Sequence, residues 1–370
     1  MTRKSILCVV GTRPEAIKMA PVILALRAEP WARVRVLATA QHRAMLDQIL
    51  AAFGIAADVD LDVMRPNQAL MALTGRLLSG LGEVFESERP DLVLAQGDTT
   101  TALSAALACF YQHVPLGHVE AGLRTGDLRN PFPEEANRVI AARLASWHFA
   151  PTSGARDNLL HEGVDAERIV LTGNTVIDAL LMAAASGAEL GLGVDPARRL
   201  VLVTSHRREN FGEPLREICR GLRELALHNP DVQFLYPVHP NPNVRQVVYQ
   251  NLADLPNFIL SEPLDYPAFV AAMRAAHVIL TDSGGVQEEA PALGKPVLVL
   301  RDETERPEAV AEGVVKLVGP HARRIVEHTQ RLLDDAQAWR AMARGVSPYG
   351  DGHAAERIVH ALRRDFAPCA

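Results

Sequence analysis

The chain has 370 residues, of which 48% are hydrophobic and 22% are charged, and it carries a formal net charge of −6. This length exceeds what one hydrophobic core usually holds, so we expect a globular protein of two ordinary domains. A nucleic-acid-binding surface is not indicated, because such proteins are commonly basic and only 5% of these residues are aromatic.

Strand-like apolar runs alternate with segments of helical length along the whole chain. This alternation predicts an α/β fold with parallel sheets and right-handed crossovers, and the runs fit two doubly wound sheets of about six strands each. The predicted strands are Ile6–Val10, Val34–Thr39, Leu92–Ala95, Pro115–Val119, Trp147–Ala150, Ile169–Leu171, Leu200–Thr204, Gln233–Tyr236, Phe258–Leu260, Val278–Thr281, Val297–Leu300 and Val315–Val318.

A stretch rich in Ala and Gly, Ala183–Pro196, marks a break in the middle of the chain. We expect one domain over residues 1–175 and a second over residues 176–353. A terminal helix within residues 354–370 can stay on the second domain or pack back on the first. Two such domains would place the carboxyl ends of their sheets around a central cleft, which suits a ligand with two unlike ends.

The cysteines Cys8, Cys109, Cys219 and Cys369 are far apart and show no metal-ligand spacing. They indicate reduced, mostly buried thiols of a cytoplasmic protein. The apolar run near the amino terminus is too short for a signal peptide, and no run approaches the length of a membrane span. We therefore predict neither a metal site nor a membrane association.

The first predicted strand runs into Gly11, and a helix begins just after it. A dinucleotide-binding turn needs three glycines at this place, so the single glycine argues against an NAD site. Arg13 and Lys18 lie at this strand end and helix start, where they can bind phosphate or form an ordinary surface charge pair. We favour phosphate, because ligands of open α/β sheets bind at this edge.

Two later predicted strands are each followed by an acid, Asp98 and Glu120. Carboxylates brought to one edge of a sheet are candidates for an acid/base pair. The alternative interpretation is that Asp98 caps the following helix and that Glu120 is a loop charge. Glu134 follows a long loop of the kind that is often functional and can be a third acid, with Arg138 one turn later. The helix dipole is an adequate explanation for Glu135.

The second half contains a turn that suits a phosphate. A predicted strand leads into Ser283, Gly284 and Gly285, where a helix starts. Two glycines let a phosphate approach the backbone N–H groups at a helix amino terminus. Glu289, further along that helix, is placed to accept hydrogen bonds from ribose hydroxyls, and Arg306 after the next strand offers another phosphate contact.

Three residues of this half have a competing structural interpretation. His206 follows a buried strand, where a lone histidine is more often structural, but the charged run after it favours a functional role. His239 lies in a proline-rich turn and is predicted to be structural. Phe269 can be a base-stacking ring or part of a helix core, and the residues alone favour the core.

Together these motifs resemble those of the non-hydrolysing bacterial UDP-N-acetylglucosamine 2-epimerase family. The resemblance covers nearly the whole chain, in order. It rests on Gly11–Pro21, Gln96–Thr101, His118–Asp127, Pro131–Arg138, Thr172–Asp178, His206–Asn210, Asp282–Glu289 and Thr304–Glu308. The family implies two Rossmann-like domains of the glycosyltransferase-B type, a homodimer, a terminal helix that crosses back to the first domain, and interconversion of UDP-GlcNAc and UDP-ManNAc. We predict no cofactor.

The resemblance also assigns roles by position. The implied nucleotide site is Arg13, Phe269, Ser283, Gly284, Gly285, Glu289 and Arg306. The implied catalytic neighbourhood is Lys18, Asp98, Glu120, Glu134 and His206, of which all but Glu134 are also expected to bind substrate. The family route is anti elimination of UDP across C1–C2 to 2-acetamidoglucal, followed by re-addition with the opposite face of C2 protonated. The sequence does not assign an acid to either face.

The chain departs from some family members at a second, regulatory UDP-GlcNAc site. Gln41 and His42 match that site, but Ala44 stands where those members have Gln, and Asn67 stands where they have Arg. These departures argue against substrate activation. Leu264 replaces a Gln that contacts the uracil side in some members.

Three alternatives stay open from the residues. One is a sister epimerase acting on a UDP-diacetamido-uronic acid, although Arg124–Asp127 favours the plain GlcNAc form. Another is a glycosyltransferase of the same architecture, which needs no cluster of three acids in the first domain. The third is a non-enzymatic UDP-sugar sensor, against which the retained acids argue.

Overall fold

A computed structural model describes residues 3–39, 43–65 and 68–366. These residues divide into two compact units, each built around one parallel sheet. The first unit holds the described residues up to Met182 together with those from Tyr349 onward. The second unit holds Ala183–Pro348.

The sheet of the first unit has seven parallel strands. They are β1 (Lys4–Val10), β2 (Ala32–Ala38), β3 (Val59–Asp60), β4 (Leu92–Gln96), β5 (Leu116–Val119), β6 (Trp147–Ala150) and β7 (Ile169–Leu171). Their order is β3-β2-β1-β4-β5-β6-β7, with Ile6 of β1 opposite Leu92 of β4. The connections change direction between β1 and β4, which makes this the switch point at which such sheets bind ligands.

The sheet of the second unit has six parallel strands. They are β8 (Leu200–Thr204), β9 (Gln233–Pro237), β10 (Phe258–Ser261), β11 (Val278–Thr281), β12 (Val297–Val299) and β13 (Val315–Leu317). Their order is β10-β9-β8-β11-β12-β13, so the second switch point lies between β8 and β11.

Helices connect the strands in both units. In chain order they are α1 (Arg13–Arg27), α2 (Arg43–Ala52), α3 (Leu70–Glu88), α4 (Thr100–Tyr111), α5 (Glu134–Leu144), α6 (Ser153–His161), α7 (Thr175–Ala185), α8 (Glu213–His228), α9 (Pro242–Leu252), α10 (Tyr266–Ala275), α11 (Gly284–Ala292), α12 (Pro307–Ala311), α13 (Ala322–Asp334), α14 (Ala336–Met342) and α15 (Ala354–Phe366). Over the described ranges, none of these helices is long and apolar enough to cross a lipid bilayer.

The central strands are buried along their whole length, as β4 and β8 show at every position. Helices cover such sheets on both faces, so their strands are continuous apolar runs rather than alternating ones. Most of the predicted site residues accordingly lie in the turns after the strands or on the helices that follow them. The thiols of Cys8, Cys109 and Cys219 are free and buried, as predicted, whereas Cys369 lies outside the described residues.

Helix α15 packs against α1 within the first unit. Its buried side chains, which include Ile358 and Leu362, recur at helical spacing. Arg363 adds an ion pair with Glu29, just beyond the end of α1. The carboxyl-terminal segment thus contributes to the same unit as the first strand.

The predicted fold class is confirmed, since both sheets are doubly wound and parallel. Strands β6, β7, β8 and β11 have the predicted bounds, and the other predicted strands differ by one or two residues at one end or, for β2, at both. A seventh strand in the first sheet, β3, was not predicted. It is only two residues long and pairs with Leu37 and Ala38 alone.

Candidate active site

Three neighbouring strands bring the first group of site residues to one edge of the sheet. Arg13 follows β1, Asp98 follows β4, and Glu120 directly follows β5. Because β1 and β4 flank the switch point, the topology itself indicates a ligand at this edge.

Helix α1 begins after β1 because Thr12 and Glu15 form a capping box. The Glu15 carboxylate accepts hydrogen bonds from the backbone N–H groups of Gly11 at 2.7 Å and Thr12 at 2.6 Å. It also accepts one from the hydroxyl of Thr99, in the turn after β4. Burial raises the pKa of Glu15, and these hydrogen bonds oppose the rise. Glu15 is not among the predicted site residues, and its spacing from Thr12 is the sequence signal for its role.

The two cations of α1 lie in different surroundings. Arg13 is half-buried and takes part in no ion pair or side-chain hydrogen bond within the described part of the chain. Lys18 is only 14% exposed, and its Nζ lies 2.5 Å from Oε1 of Glu120. Lys18 therefore belongs with the acids, while Arg13 is available to an anion.

The interpretation of Asp98 as a helix cap is wrong. Helix α4 is capped by Thr99, whose hydroxyl accepts a hydrogen bond from the backbone N–H of Ala102 at 3.2 Å. Asp98 Oδ2 instead lies 2.7 Å from Nη2 of Arg138 on α5. The Asn137 side chain donates to the Asp98 carbonyl oxygen at 2.8 Å. Asp98 is therefore held by the helix that follows β5.

Glu120 is not a solvated loop charge either, because its side chain is only 7% exposed. Its backbone has a φ of 62°, in the left-handed region that non-glycine residues rarely adopt. Besides Lys18, two amides hold the carboxylate. Asn174 donates to Oε1 at 2.9 Å, and Gln96 donates to Oε2. These donors fix the orientation of the Glu120 carboxylate.

Sequence reasoning did not identify Gln96 and Asn174 as site residues. Neutral amides carry no charge or spacing pattern of their own. The available signal was their position inside two of the segments that resemble the family, Gln96–Thr101 and Thr172–Asp178.

The structure places the three predicted acids in one electrostatic neighbourhood. Burial raises the pKa of Asp98, Arg138 opposes that rise, and the charges of Glu120 and Glu134 add to it. Glu134 begins α5 and is partly exposed. A partly buried carboxyl group with a raised pKa beside other carboxylates is suited to acid/base catalysis.

Glu135 does more than complement the helix dipole. It is 1% exposed and accepts hydrogen bonds from the backbone N–H groups of Thr125 at 3.0 Å and Gly126 at 3.1 Å. Its Oε2 lies 3.5 Å from Nη1 of Arg138. Glu135 therefore fixes the preceding loop to α5 and helps to orient the guanidinium group that pairs with Asp98.

His118, inside β5, supports the turn that carries Asp98. Its Nε2 lies 2.7 Å from the carbonyl oxygen of Gly97, which has a φ of 76°. Burial lowers the pKa of His118 to about 4, so the ring is neutral near pH 7. A neutral ring must carry its hydrogen on Nε2 to donate to that carbonyl.

The second group of site residues lies at the switch point of the second sheet. His206 follows β8, and Ser283–Gly285 follows β11. The His206 side chain is 41% exposed and lies next to the buried Asp282. Burial lowers the pKa of His206, Asp282 opposes this, and Arg207 and His239 lower the pKa further.

Helix α11 starts with an open amino terminus. Its N-cap residue, Ser283, forms no side-chain capping hydrogen bond in the described structure, and Gly285 is exposed. The first backbone N–H groups of a helix have no partner inside it, so they are donors for an anion. The absence of a side chain at the exposed Gly285 leaves the backbone accessible there, whereas Gly284 is buried.

Glu289 and Arg306 lie near this helix start but have different partners. Glu289 is 6% exposed and accepts a hydrogen bond from the Tyr266 hydroxyl at 2.7 Å. Arg306 forms an ion pair with Glu288, and its backbone N–H donates to Thr304 at 3.1 Å. Tyr266 and Glu288, which are not among the predicted site residues, hold these two side chains in place.

Phe269, for which the residues alone favour a helix core, is partly exposed on α10. On the same helix, Val270 and Met273 are fully buried. An aromatic ring left at the surface of α10 is consistent with base stacking, the role implied by the resemblance.

No group of three or more His, Cys, Asp or Glu side chains in the described ranges is arranged to hold a metal ion. The residues expected at a regulatory site cannot be placed. Gln41, His42 and Asn67 lie outside the described residues, as does the side chain of Ala44.

A family model for UDP-N-acetylglucosamine 2-epimerase matches residues 24–363 of the chain. The chain belongs to the UDP-N-acetylglucosamine 2-epimerase family. The prediction of this family, and with it of an enzyme, is confirmed.

Individual family members match over almost their full length. The UDP-N-acetylglucosamine 2-epimerase of Escherichia coli K12 is 52% identical, over 97% of this chain and 98% of its own. The crystal structure of the Neisseria meningitidis epimerase bound to UDP-GlcNAc is 48% identical, with a TM-score of 0.89 and coverage of 97% and 100%. The Staphylococcus aureus protein MnaA in complex with UDP is 42% identical, with a TM-score of 0.88 and coverage of 98% and 96%.

Proposed function

We propose that this family member interconverts UDP-GlcNAc and UDP-ManNAc without hydrolysis, by anti elimination of UDP and its re-addition. The observation that carries the proposal is the raised pKa of Asp98 beside Glu120, whose carboxylate is held by Lys18. The relatives named for this activity support the substrate class, and one of them is solved with UDP-GlcNAc.

In the proposed elimination, a carboxylate removes the proton from C2 of the sugar. The C–H electron pair becomes the second bond between C1 and C2, and the C1–O bond breaks with its electron pair leaving on UDP. This gives 2-acetamidoglucal. In re-addition, a carboxylic acid delivers a proton to the opposite face of C2 while the UDP oxygen bonds to C1.

Two acid/base groups are needed because the two faces of one carbon must each be served. Asp98, Glu120 and Glu134 are the candidates, and such help is worth about 10²–10⁴-fold in rate. The rest of the acceleration must come from positioning and from stabilising the departing diphosphate.

The proposed binding roles are those that the family resemblance implies, and the surroundings of the residues support them. Arg13, Arg306 and the open start of α11 are assigned to the diphosphate, with His206 nearby. Glu289 is assigned to the ribose hydroxyls, and the partly exposed ring of Phe269 to the uracil.

Epimerisation in heavy water tests the elimination route. UDP-ManNAc formed from unlabelled UDP-GlcNAc should carry deuterium at C2, because the proton removed exchanges with solvent before one is returned. Substrate incubated in heavy water without enzyme is the control. Product without deuterium would point to an internal hydride transfer and would contradict the mechanism.

The same incubation separates the alternative activities. UDP-GlcNAc supplied alone should give UDP-ManNAc, followed by proton NMR. A glycosyltransferase would need an acceptor, a sister epimerase would turn over a UDP-diacetamido-uronic acid instead, and a sensor would turn over neither.

The homodimer and the cytoplasmic location stay predictions. Light scattering of the purified chain tests the first, with a mass twice that of one chain as the expected result. Fractionation of the source cells tests the second.

A further inference from the structure

Asp282, which follows β11, is a carboxylate with no exposed side-chain surface. Its Oδ2 accepts four hydrogen bonds from the turn after β8. The donors are the Ser205 hydroxyl at 2.8 Å, the backbone N–H groups of His206 at 2.9 Å and Arg207 at 3.0 Å, and the Asn210 amide at 2.9 Å. A buried carboxylate is stable only where such donors replace water. Asp282 therefore organises the turn that carries His206.

The second oxygen of this carboxylate meets His206 and no other side chain in the part of the chain that the structure describes. Asp282 Oδ1 lies 3.1 Å from the backbone N–H of His206 and 3.3 Å from its Nδ1. A ring nitrogen without hydrogen would set its lone pair against the carboxylate oxygen, whereas a protonated nitrogen is attracted to it. The approach favours a hydrogen on Nδ1.

We infer that Asp282 is a positioning residue that keeps the hydrogen of His206 on Nδ1 and leaves Nε2 as the nitrogen that meets the ligand. Only the identity of that ligand, a nucleoside diphosphate, rests on the proposed function. Neutral Nε2 accepts a proton, and the charged ring donates Nε2–H to a phosphate oxygen. A buried carboxylate behind the ring stabilises that charged form.

The surroundings of the ring restrict its movement. The rings of His206 and His239 stack at 5.9 Å between centroids and 22° between planes. The ring is nevertheless 41% exposed, so part of it is open to a ligand. Asp282 is also followed directly by Ser283, the N-cap residue of α11. The same residue therefore lies beside the imidazole ring of His206 and next to the turn proposed to bind phosphate.

The groups that face His206 set the direction of any change in its titration. Asp282 favours the charged ring, whereas Arg207, His239 and burial disfavour it. Replacing Asp282 by Asn removes the one favourable charge, so the pKa of His206 must fall.

The tautomer can be measured without any substrate. NMR of the full chain with ¹⁵N-labelled histidine distinguishes Nδ1–H from Nε2–H rings, and the His206 signals are assigned by their loss in His206→Gln. We expect the Nδ1–H form in the unsubstituted protein. A predominant Nε2–H form would overturn the inference, whether or not the proposed reaction is correct.

Two variants extend this test. Asp282→Asn should lose the tautomer preference, shift the pH-rate limb of His206 to lower pH, and reduce kcat by about 10–100-fold with a smaller change in KM. Ser205→Ala removes another donor to the same carboxylate. It should leave the Nδ1–H tautomer of His206 and the position of the pH-rate limb unchanged. An unshifted limb and an unchanged tautomer in Asp282→Asn would overturn the inference. Should that variant fail to fold, the tautomer of the unsubstituted protein decides.

Discussion

Lys18 on α1 and Glu120 after β5 form an ion pair of 2.5 Å, although 102 residues separate them in the sequence. The side chains are only 14% and 7% exposed. Exposed pairs contribute little to stability, but a charge removed from water depends on its partner. Lys18 therefore makes the orientation of the Glu120 carboxylate depend on α1, the helix that also carries Arg13.

Replacing Glu120 by Gln or Asp98 by Asn should lower kcat by about 10²–10⁴-fold, because neither amide can accept and return a proton at C2. Proton NMR of UDP-ManNAc formation gives the rates, and circular dichroism shows whether the fold is retained. Asp91→Asn is the matched control, because Asp91 binds Lys4 at 3.1 Å at the opposite end of β4. Near-normal rates in both site variants would contradict the acid/base assignment.

Phe269→Ala should raise KM for UDP-GlcNAc about ten-fold and leave kcat almost unchanged. A stacked base is bound equally in the ground state and the transition state, and such stacking is worth about 1–3 kcal/mol. The melting temperature should fall less than it does when the fully buried Met273 on the same helix is replaced by Ala, because Phe269 is partly exposed. Phe269→Tyr retains the flat ring and should keep KM. A loss of stability with an unchanged KM would indicate that Phe269 is a core residue and does not stack on the base.

Acidification should destabilise the first unit partly through His118. Its pKa is lowered from 6.5 to about 4 on folding, so between these values the unfolded chain binds a proton that the folded chain does not. The contribution is complete above about pH 6.5 and is lost as the pH falls, by up to about 1.4 kcal/mol per unit.

His118→Gln tests this dependence, since its amide can still donate to the Gly97 carbonyl. Urea unfolding between about pH 4.5 and 7.5 should show that the free energy of unfolding falls less steeply with decreasing pH in the variant than in the unsubstituted protein. Part of the slope should persist through His148, whose pKa burial lowers to about 3. Curves parallel to those of the unsubstituted protein would rule out His118 as the group.

Gly11→Ala should destabilise the fold by about 1–3 kcal/mol and raise KM, because a Cβ there would overlap the hydroxyls of Thr39 and Thr101. The Oγ1 atoms of the two threonines lie 3.1 Å apart, so both hydroxyls would have to move to make room for the Cβ. Gly75→Ala on α3 is the control, since nothing lies within 4 Å of its Cβ, and it should stabilise by up to about 1 kcal/mol. Thermal unfolding ranks the two, and the reverse order would contradict the steric argument.

The strands could be predicted closely because burial on both faces makes them continuous apolar runs, as in Leu200–Thr204 and Val278–Thr281. Val59–Asp60 could not be found this way. It has two residues, one of them charged, and it pairs only at the edge of the sheet. Its strand character depends on β2 rather than on its own composition.

Site residues could be predicted where they follow a strand, as Asp98 and Glu120 do. Their partners could not, because Asn174 is a neutral amide that meets Glu120 only in the folded chain. The cap of α4 could not be predicted either, because the neighbouring Asp98 and Thr99 are both residue types whose side chains accept from the first N–H groups of a helix. The pairing of Asp98 with Arg138 decides it.

Glu15 links two adjacent turns, because one carboxylate oxygen accepts from the backbone after β1 and the other accepts from Thr99 after β4. The turns that carry Arg13 and Asp98 are consequently held in a fixed relative position. Under the proposed function, a sugar whose adjacent phosphate is bound by Arg13 would therefore be held at a constant distance from Asp98.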